Sequence, residues 1–263
     1  MSNIKKFVII LTSIFFGSLL IAGVVFLFSG GFGPKNISDN RGILGINFGI
    51  VGSGFTIEEE RNVAEFNSIS TSSGINIILE QSDRQSVKIE AEENILPFIE
   101  TNVRAGELIV KFSSGMLFMQ TNKPVNCYIS AKDINSIKLS SSAALSCDDL
   151  KTDELSINMS SSASAQMNAE VEYLKINMSS SAILKISGEA LKQDVIVSSS
   201  AKYLAEDLKS SECFVRSSSS AQAFINVSDI LNAEASSSGQ IKYTGSPNIT
   251  SNISSGGSII NVK

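Results

Sequence analysis

Beyond residue 55, apolar and polar residues alternate at period two in short runs, and the runs repeat. Leu155-Ser156-Ile157-Asn158-Met159 alternates, and Leu174-Lys175-Ile176-Asn177-Met178 restates it 19 residues later. Such alternation predicts strands with one buried face. Ser-Ser-Ser-Ala or a close variant follows run after run. The motif ends at Ala143, Ala163, Ala182, Ala201, Ala221 and Gly239, and a looser Ser-Ser-Gly ends at Gly256, in steps of 20, 19, 19, 20, 18 and 17 residues. A period near 19 with one turn signal per period predicts a solenoid. The constant offset between strand and Ser run means that the same residues stack from rung to rung. The expected fold is all-β, a parallel β-helix with rungs of roughly 19 residues. About seven rungs spaced ~4.8 Å apart give a prism on the order of 30 Å long. The Ser runs are expected at one corner, Ile176 in the core, and Asn158 stacked on Asn177 as a short ladder.

The N-terminal end reads differently. Lys5 and Lys6 close a short cytoplasmic region, residues 1–6. An uncharged run of 22 residues follows from Phe7 to Phe28, against roughly 20 needed for a helix to cross a bilayer. The lysines before it favour an N-in, C-out orientation. Two readings stand: an uncleaved transmembrane anchor at 7–28, favoured by length, or a cleaved signal segment that leaves a secreted chain. Residues 29–55 form a Gly-rich linker, 56–124 a β-rich head and 125–263 the Ser-rich solenoid. Within the head, Pro97 limits Glu93–Ile99 to one short helical turn. Gly115–Met119 is an apolar loop or rung edge, read as packing on the head in preference to an exposed patch. The head is placed to cap one end of the stack, where unpaired rungs would template aggregation.

Composition removes several functions. The net charge is −5 and the chain has no His. An acidic balance argues against a nucleic-acid partner, and the lack of His removes Ser-His-Asp and Cys-His nucleophile systems. Scarce Pro argues against a mucin-like stalk. A β-sandwich explains the strands but not corner chemistry that recurs every 19 residues.

Arg61-x-Val63-x-x-Phe66-x-x-Ile69, then Gly74-Ile75-Asn76, then Ile89-Glu90-Ala91-x-Glu93-Asn94 and serial Ser corners resemble the putative auto-transporter adhesin, head GIN domain family over residues 56–263. Gly74, Ile75 and Asn76 spell its motif. Ala stands in most corners where the family more often has Gly. The resemblance implies a β-solenoid at the cell envelope and supplies no catalytic residues.

Candidate chemistry is sparse, and no cofactor or metal motif is legible. Glu58-Glu59-Glu60, Glu92-Glu93 and Asp148-Asp149 read as solvated surface, since adjacent carboxylates on a strand point to opposite faces. No repeated acidic–basic set of the kind a polysaccharide lyase needs is visible. Cys127 and Cys147 lie about one period apart, so they are either rung neighbours within disulfide reach or two buried thiols, the second being favoured. Sequons at Asn36, Asn158, Asn177, Asn226, Asn248 and Asn252 matter only in a glycosylating compartment. Two functions are carried forward. One is a non-enzymatic binding module that presents a Ser/Asn-rich flank to a glycan or surface protein. The other is a structural or envelope-sensing scaffold. An enzyme needs a site this sequence does not show.

Overall fold

Two consecutive left-handed residues make each Ser corner. In Ser160-Ser161-Ser162-Ala163, the Ala163 N–H donates to the Ser160 carbonyl at 3.1 Å, and Ser161 and Ser162 have φ of 54° and 61°. Positive φ at both central positions defines the type I′ turn, which usually takes Asn-Gly. The pair recurs at Ser141–Ser142, Ser180–Ser181, Ser199–Ser200, Ser219–Ser220 and Ser237–Ser238. The strain therefore falls on the two middle serines and not on the Ala or Gly that ends each motif. In the last corner the pair is Ser255–Gly256, and Gly257 donates back to Ser254 at 2.9 Å. Gly257, rather than Gly256, continues the Ala column.

Left-handed geometry costs an L-residue about 1–2 kcal/mol, and lateral hydrogen bonds offset it. Ser142 N–H donates to the Ser161 carbonyl at 2.9 Å and Ser162 to Ser180 at 2.9 Å; the series runs on to Ser238 and Ser255 at 3.1 Å. The first residue of each corner bonds the preceding rung, as Ser160 does to Leu139 and Ser179 to Met159, both at 3.0 Å. Each corner from the one at Ser140 to the one at Ser236 is thus tied to the rungs on both sides.

The structure, a computed structural model, describes residues 49–114 and 119–262. The expected apolar helix at 7–28 and residues 115–118 of the apolar loop lie outside the described residues. Among the described residues, no helix is long and apolar enough to cross a membrane. The strands are, in chain order, β1 (Ile50–Val51), β2 (Thr56–Glu60), β3 (Ser68–Thr71), β4 (Asn76–Gln81) and β5 (Ser86–Glu92). A single 3₁₀ turn at Leu96–Phe98 follows, as Pro97 requires. Next come β6 (Ile99–Arg104), β7 (Glu107–Phe112), β8 (Met119–Gln120), β9 (Asn126–Ala131) and β10 (Ser136–Leu139). The long strands are β11 (Ala144–Met159), β12 (Ser164–Met178), β13 (Ile183–Val197), β14 (Lys202–Ser217) and β15 (Gln222–Ala235). The chain closes with β16 (Gln240–Thr244), β17 (Asn248–Ile253) and β18 (Ser258–Asn261).

From β10 onward, each rung pairs in parallel with the next, giving an all-β parallel solenoid of about seven turns. Inward positions align in columns. Ile69, Ile137, Ile157, Ile176, Val195 and Val215 form one, and Leu145, Ala165, Leu184, Tyr203, Ala223 and Ile241 another; all are buried. Within β12 the inward residues are Ala165, Met167, Ala169 and Val171, then Leu174, Ile176 and Met178. The parity changes between Val171 and Leu174, so the rung bends there and buries its other phase. The bulk of Tyr203 is accommodated beside Ala223, and its hydroxyl donates to the buried Gln193 Oε1 at 2.6 Å.

The N-terminal end is interleaved. β3 and β4 flank the Ser72–Ile75 corner and pair in parallel with β10 and β11. Their other edges are taken by β7 and β9. The chain lays down the β3–β4 rung, adds β7 and β9 on one side, then crosses to the opposite side to begin β10. β6 pairs antiparallel with β7, and β5 with β9 and β2. These antiparallel strands end the parallel stack and cover the core edge.

Three substitutions check this account. Ile176→Asp places an unpaired carboxylate at a fully buried site, and a loss of about 3 kcal/mol or more is expected in denaturant melts. Ser181→Val forces a β-branched residue to positive φ and should cost roughly 1–3 kcal/mol, whereas Ser181→Gly should keep or raise the melting temperature.

Candidate functional site

The corner residues singled out by sequence form one continuous structural column. Ala143, Ala163, Ala182, Ala201 and Ala221 are all fully buried. At Gly239 a Cβ would run into the Ser217 carbonyl, so glycine is required there by close approach of the preceding rung. Gly74 has φ of 71° and supplies the second left-handed position of the first corner. Ile75 is fully buried, and Asn76 lies opposite Asn126 and Ala144. The Asn76 side chain donates to Asn126 Oδ1 at 3.0 Å, and Asn126 donates to Glu90 Oε2 at 2.9 Å. Tyr128 also donates to Glu90 Oε2, at 2.8 Å. The Gly-Ile-Asn motif thus makes the first corner and ties it to the antiparallel cap.

Beside the corners, the outer columns build a Ser/Asn flank. Asn177 Nδ2 donates to Asn158 Oδ1 at 3.3 Å, the expected ladder, and Asn158 donates to Ser156 Oγ at 3.3 Å. The ladder covers two rungs, because Ile196 and then Arg216 follow in the same column. A shallow depression of about 310 Å³ runs along this flank, lined by Ser70, Lys138, Asn158, Asn177 and the corner residues Ser140, Ser160 and Ser179. Among the described residues, the hydroxyls of those three corner serines take no hydrogen-bond partner within the chain.

A second concavity was not legible in the sequence. At the bend of the rungs lies an open groove of about 1240 Å³. Lys151, Glu170, Glu189 and Lys209 align there in one column. Lys151 Nζ meets Glu170 at 2.8 Å, and Lys209 meets Glu189 at 3.9 Å. An acidic–basic set therefore does repeat, contrary to the sequence reading. Its spacing of 19, 19 and 20 residues crosses a bulge between Lys185 and Gly188, which hides the alignment. These pairs are exposed, so solvent screens them and they add little to stability.

One further expectation changes, and one open alternative is resolved. Glu92 is not solvated surface: it is buried, and its carboxylate accepts the N–H groups of Gly54 at 2.7 Å and Asn122 at 2.8 Å. Cys127 and Cys147 are not rung neighbours, because Cys127 lies opposite Ile77 and Cys147 opposite Leu79, on the two sides of β4. All three thiols are free and buried. Burial pushes Cys127 up to about 12 and Cys147 to about 11, which suppresses the thiolate a nucleophile needs. Among the described residues, no group of acidic or Cys side chains is arranged to hold a metal.

The model of the putative auto-transporter adhesin, head GIN domain family matches residues 65–247, more than half of the chain. The chain belongs to this family. Solved structures share its fold. A putative adhesin from Bacteroides fragilis superposes with a TM-score of 0.75 at 22% identity, over 81% of this chain and 100% of that one. A putative adhesin from Parabacteroides merdae gives 0.69 at 21% identity, over 82% and 100%. A putative lipid binding protein from Parabacteroides distasonis gives 0.68 at 21% identity, also over 82% and 100%. Among curated proteins none matches the chain. The head GIN family match begins just before β3 and so takes in the interleaved corner that the motif builds.

The cap network carries a pH dependence. Hydrogen bonds from Asn126 and then Tyr128 hold the Glu90 carboxyl below its usual range, against an opposing effect of burial. A depressed folded pKa contributes stability that is present above the unfolded carboxylate value and lost as pH falls through the folded one. The stability advantage of wild type over Glu90→Gln should therefore be fully present at neutral pH, begin to shrink as pH falls towards about 4.3, the ordinary Glu value, and be lost only at still lower pH, read from urea melts across pH.

Proposed function

We propose that this chain is a non-catalytic adhesive module of the cell envelope, anchored through residues 7–28 with its solenoid outside the cytoplasm, and that the Ser/Asn flank binds a glycan. The observation that carries the reading is the depression along that flank. Neutral hydroxyl and amide groups recur there at the rung spacing of ~4.8 Å. Ser140, Ser160 and Ser179 stand one rung apart with hydroxyls unpartnered among the described residues, beside Asn158 and Asn177. Lys138 is the one charged residue of the lining and is ion-paired to Glu107 at 2.8 Å, so the row offers mainly neutral donors and acceptors, which suits a polyhydroxylated ligand better than a charged one. Membership of an adhesin family supports the envelope location and a binding role. The free thiols are buried and the chain has no His, which supports a module without covalent chemistry. A scaffold reading draws on one observation, the uncharged C-terminal edge of the stack.

The test is a glycan screen with the purified full chain, followed by retesting of any hit with the Asn158→Ala/Asn177→Ala pair. Loss of two hydrogen-bonding amides should weaken binding by about tenfold with an unchanged melting temperature. Binding that persists at full strength, or a screen that yields no glycan hit, would contradict the glycan reading. Protease shaving of intact cells carrying a C-terminal tag checks the location: the tag should be lost from intact cells, and protection until the envelope is opened would contradict outer-surface display.

A further inference from the structure

The two ends of the solenoid are built differently. At the N-terminal end, the outermost strands are antiparallel and charged. β2 carries Glu58, Glu59 and Glu60, with Lys88 on Glu58 at 2.9 Å and Arg61 on Glu59 at 3.1 Å. β6 carries Glu100 and Arg104. Charges on an edge strand are how folded proteins prevent further strands from adding. At the C-terminal end, β17 pairs only with β15 and β18 only with β16 among the described residues, so each leaves one edge of N–H and C=O groups unpaired. Among the described residues β17 and β18 carry no charged gatekeeper: residues 245–262 contain no Asp, Glu, Lys or Arg, and Lys263 follows them in the sequence. Ile249 continues the inward column of Leu231 and Ile253 that of Ala235, yet they are 43% and 53% exposed. Among the described residues, the core columns end at this face.

We propose that the C-terminal face docks against the same face of a second copy, tail to tail, with the β17 strands pairing across a two-fold axis. Three observations single out this occupant. The charged antiparallel cap at the opposite end cannot receive the open rung, which removes a head-to-tail filament. In a two-fold contact every residue meets its own region on the partner copy, so any charge would meet a like charge; an uncharged run is the composition such a contact requires. The exposed ends of the core columns have the same outline on both copies, so isoleucine meets isoleucine. The contact rests on the edge geometry alone and not on the glycan reading.

The experiment uses the full chain in detergent, followed by sedimentation velocity over a concentration series. Wild type should show a reversible monomer–dimer equilibrium. Thr250 lies on the outward phase of β17, opposite Asn232. Thr250→Lys should raise the dimer dissociation constant by roughly tenfold or more, because like charges then face each other. Thr250→Glu should do the same, and a mixture of the two variants should recover the dimer as a heterodimer. Ile253→Lys should abolish it without lowering the melting temperature, since that side chain is already half exposed. A monomer at all concentrations would overturn the proposal. So would a dimer that survives Ile253→Lys, which would place the contact in the N-terminal segment, or an open-ended series of larger species. Failure of the Thr250→Lys and Thr250→Glu mixture to recover pairing would show that the edge takes some other partner.

Discussion

The structure depends on a turn that no rung can hold alone. A type I′ corner built from two serines places ordinary L-residues in the left-handed region, where Gly and Asn are usually found. Each corner from Ser140 to Ser236 persists because a middle N–H bonds the corner of the next rung and its first N–H bonds the rung before. Once the corners stack, register is fixed for the whole rung. A slip of one residue would turn Ile157, Ile176 and Val195 outward together and bring Asn158 and Asn177 inward. Strain at the corner, lateral bonding and core burial are therefore one cooperative unit, and stability belongs to the stack and not to any rung.

The same regularity creates the surfaces available for function. A fixed register repeats outer side chains at the rung spacing, so a column of like residues becomes a row of like groups. Beside the corners this gives a flank of hydroxyls and amides beside Lys138, and at the bend it gives the Lys151–Glu170–Glu189–Lys209 row. The two ends break the symmetry of the stack. One is sealed by antiparallel strands and carries paired charges, and the other ends in uncharged strands with isoleucines at the surface. A module of this kind works through its faces and ends, since its interior is filled by side chains and its thiols are sequestered.

The repeat was readable because its two signals, alternation and the Ser run, keep a constant offset. That was enough to predict parallel rungs, the inward Ile176, the Asn158–Asn177 contact and a capping head. What stayed hidden required register or long-range pairing. The β3–β4 rung is separated from β10 and β11 by the whole cap, so nothing local shows that Ser68 lies opposite Ser136. The charged row crosses a bulge. Glu92 reads as surface from its acidic neighbour, and only the loops around Gly54 and Asn122 bury it. The last corner was ambiguous because Gly256 and Gly257 are both small, and only the turn's hydrogen bond distinguishes them. The separation of Cys127 and Cys147 follows from the same interleaving, which inserts β4 between them.

The most direct test of the stacked-corner account is a set of distances along the Ser column. Spin labels are placed at Ser140 and, in separate proteins, at Ser198, Ser218, Ser236 or Ser254, the native thiols being buried and spared. Pulsed electron paramagnetic resonance then reads each separation in the full chain. Stacked rungs predict a distance that rises steadily by about 4.8 Å for every corner passed. Distances that fail to grow with corner number, or that alternate between short and long as chain segments in a two-sheet sandwich would, contradict the solenoid and the function built on it.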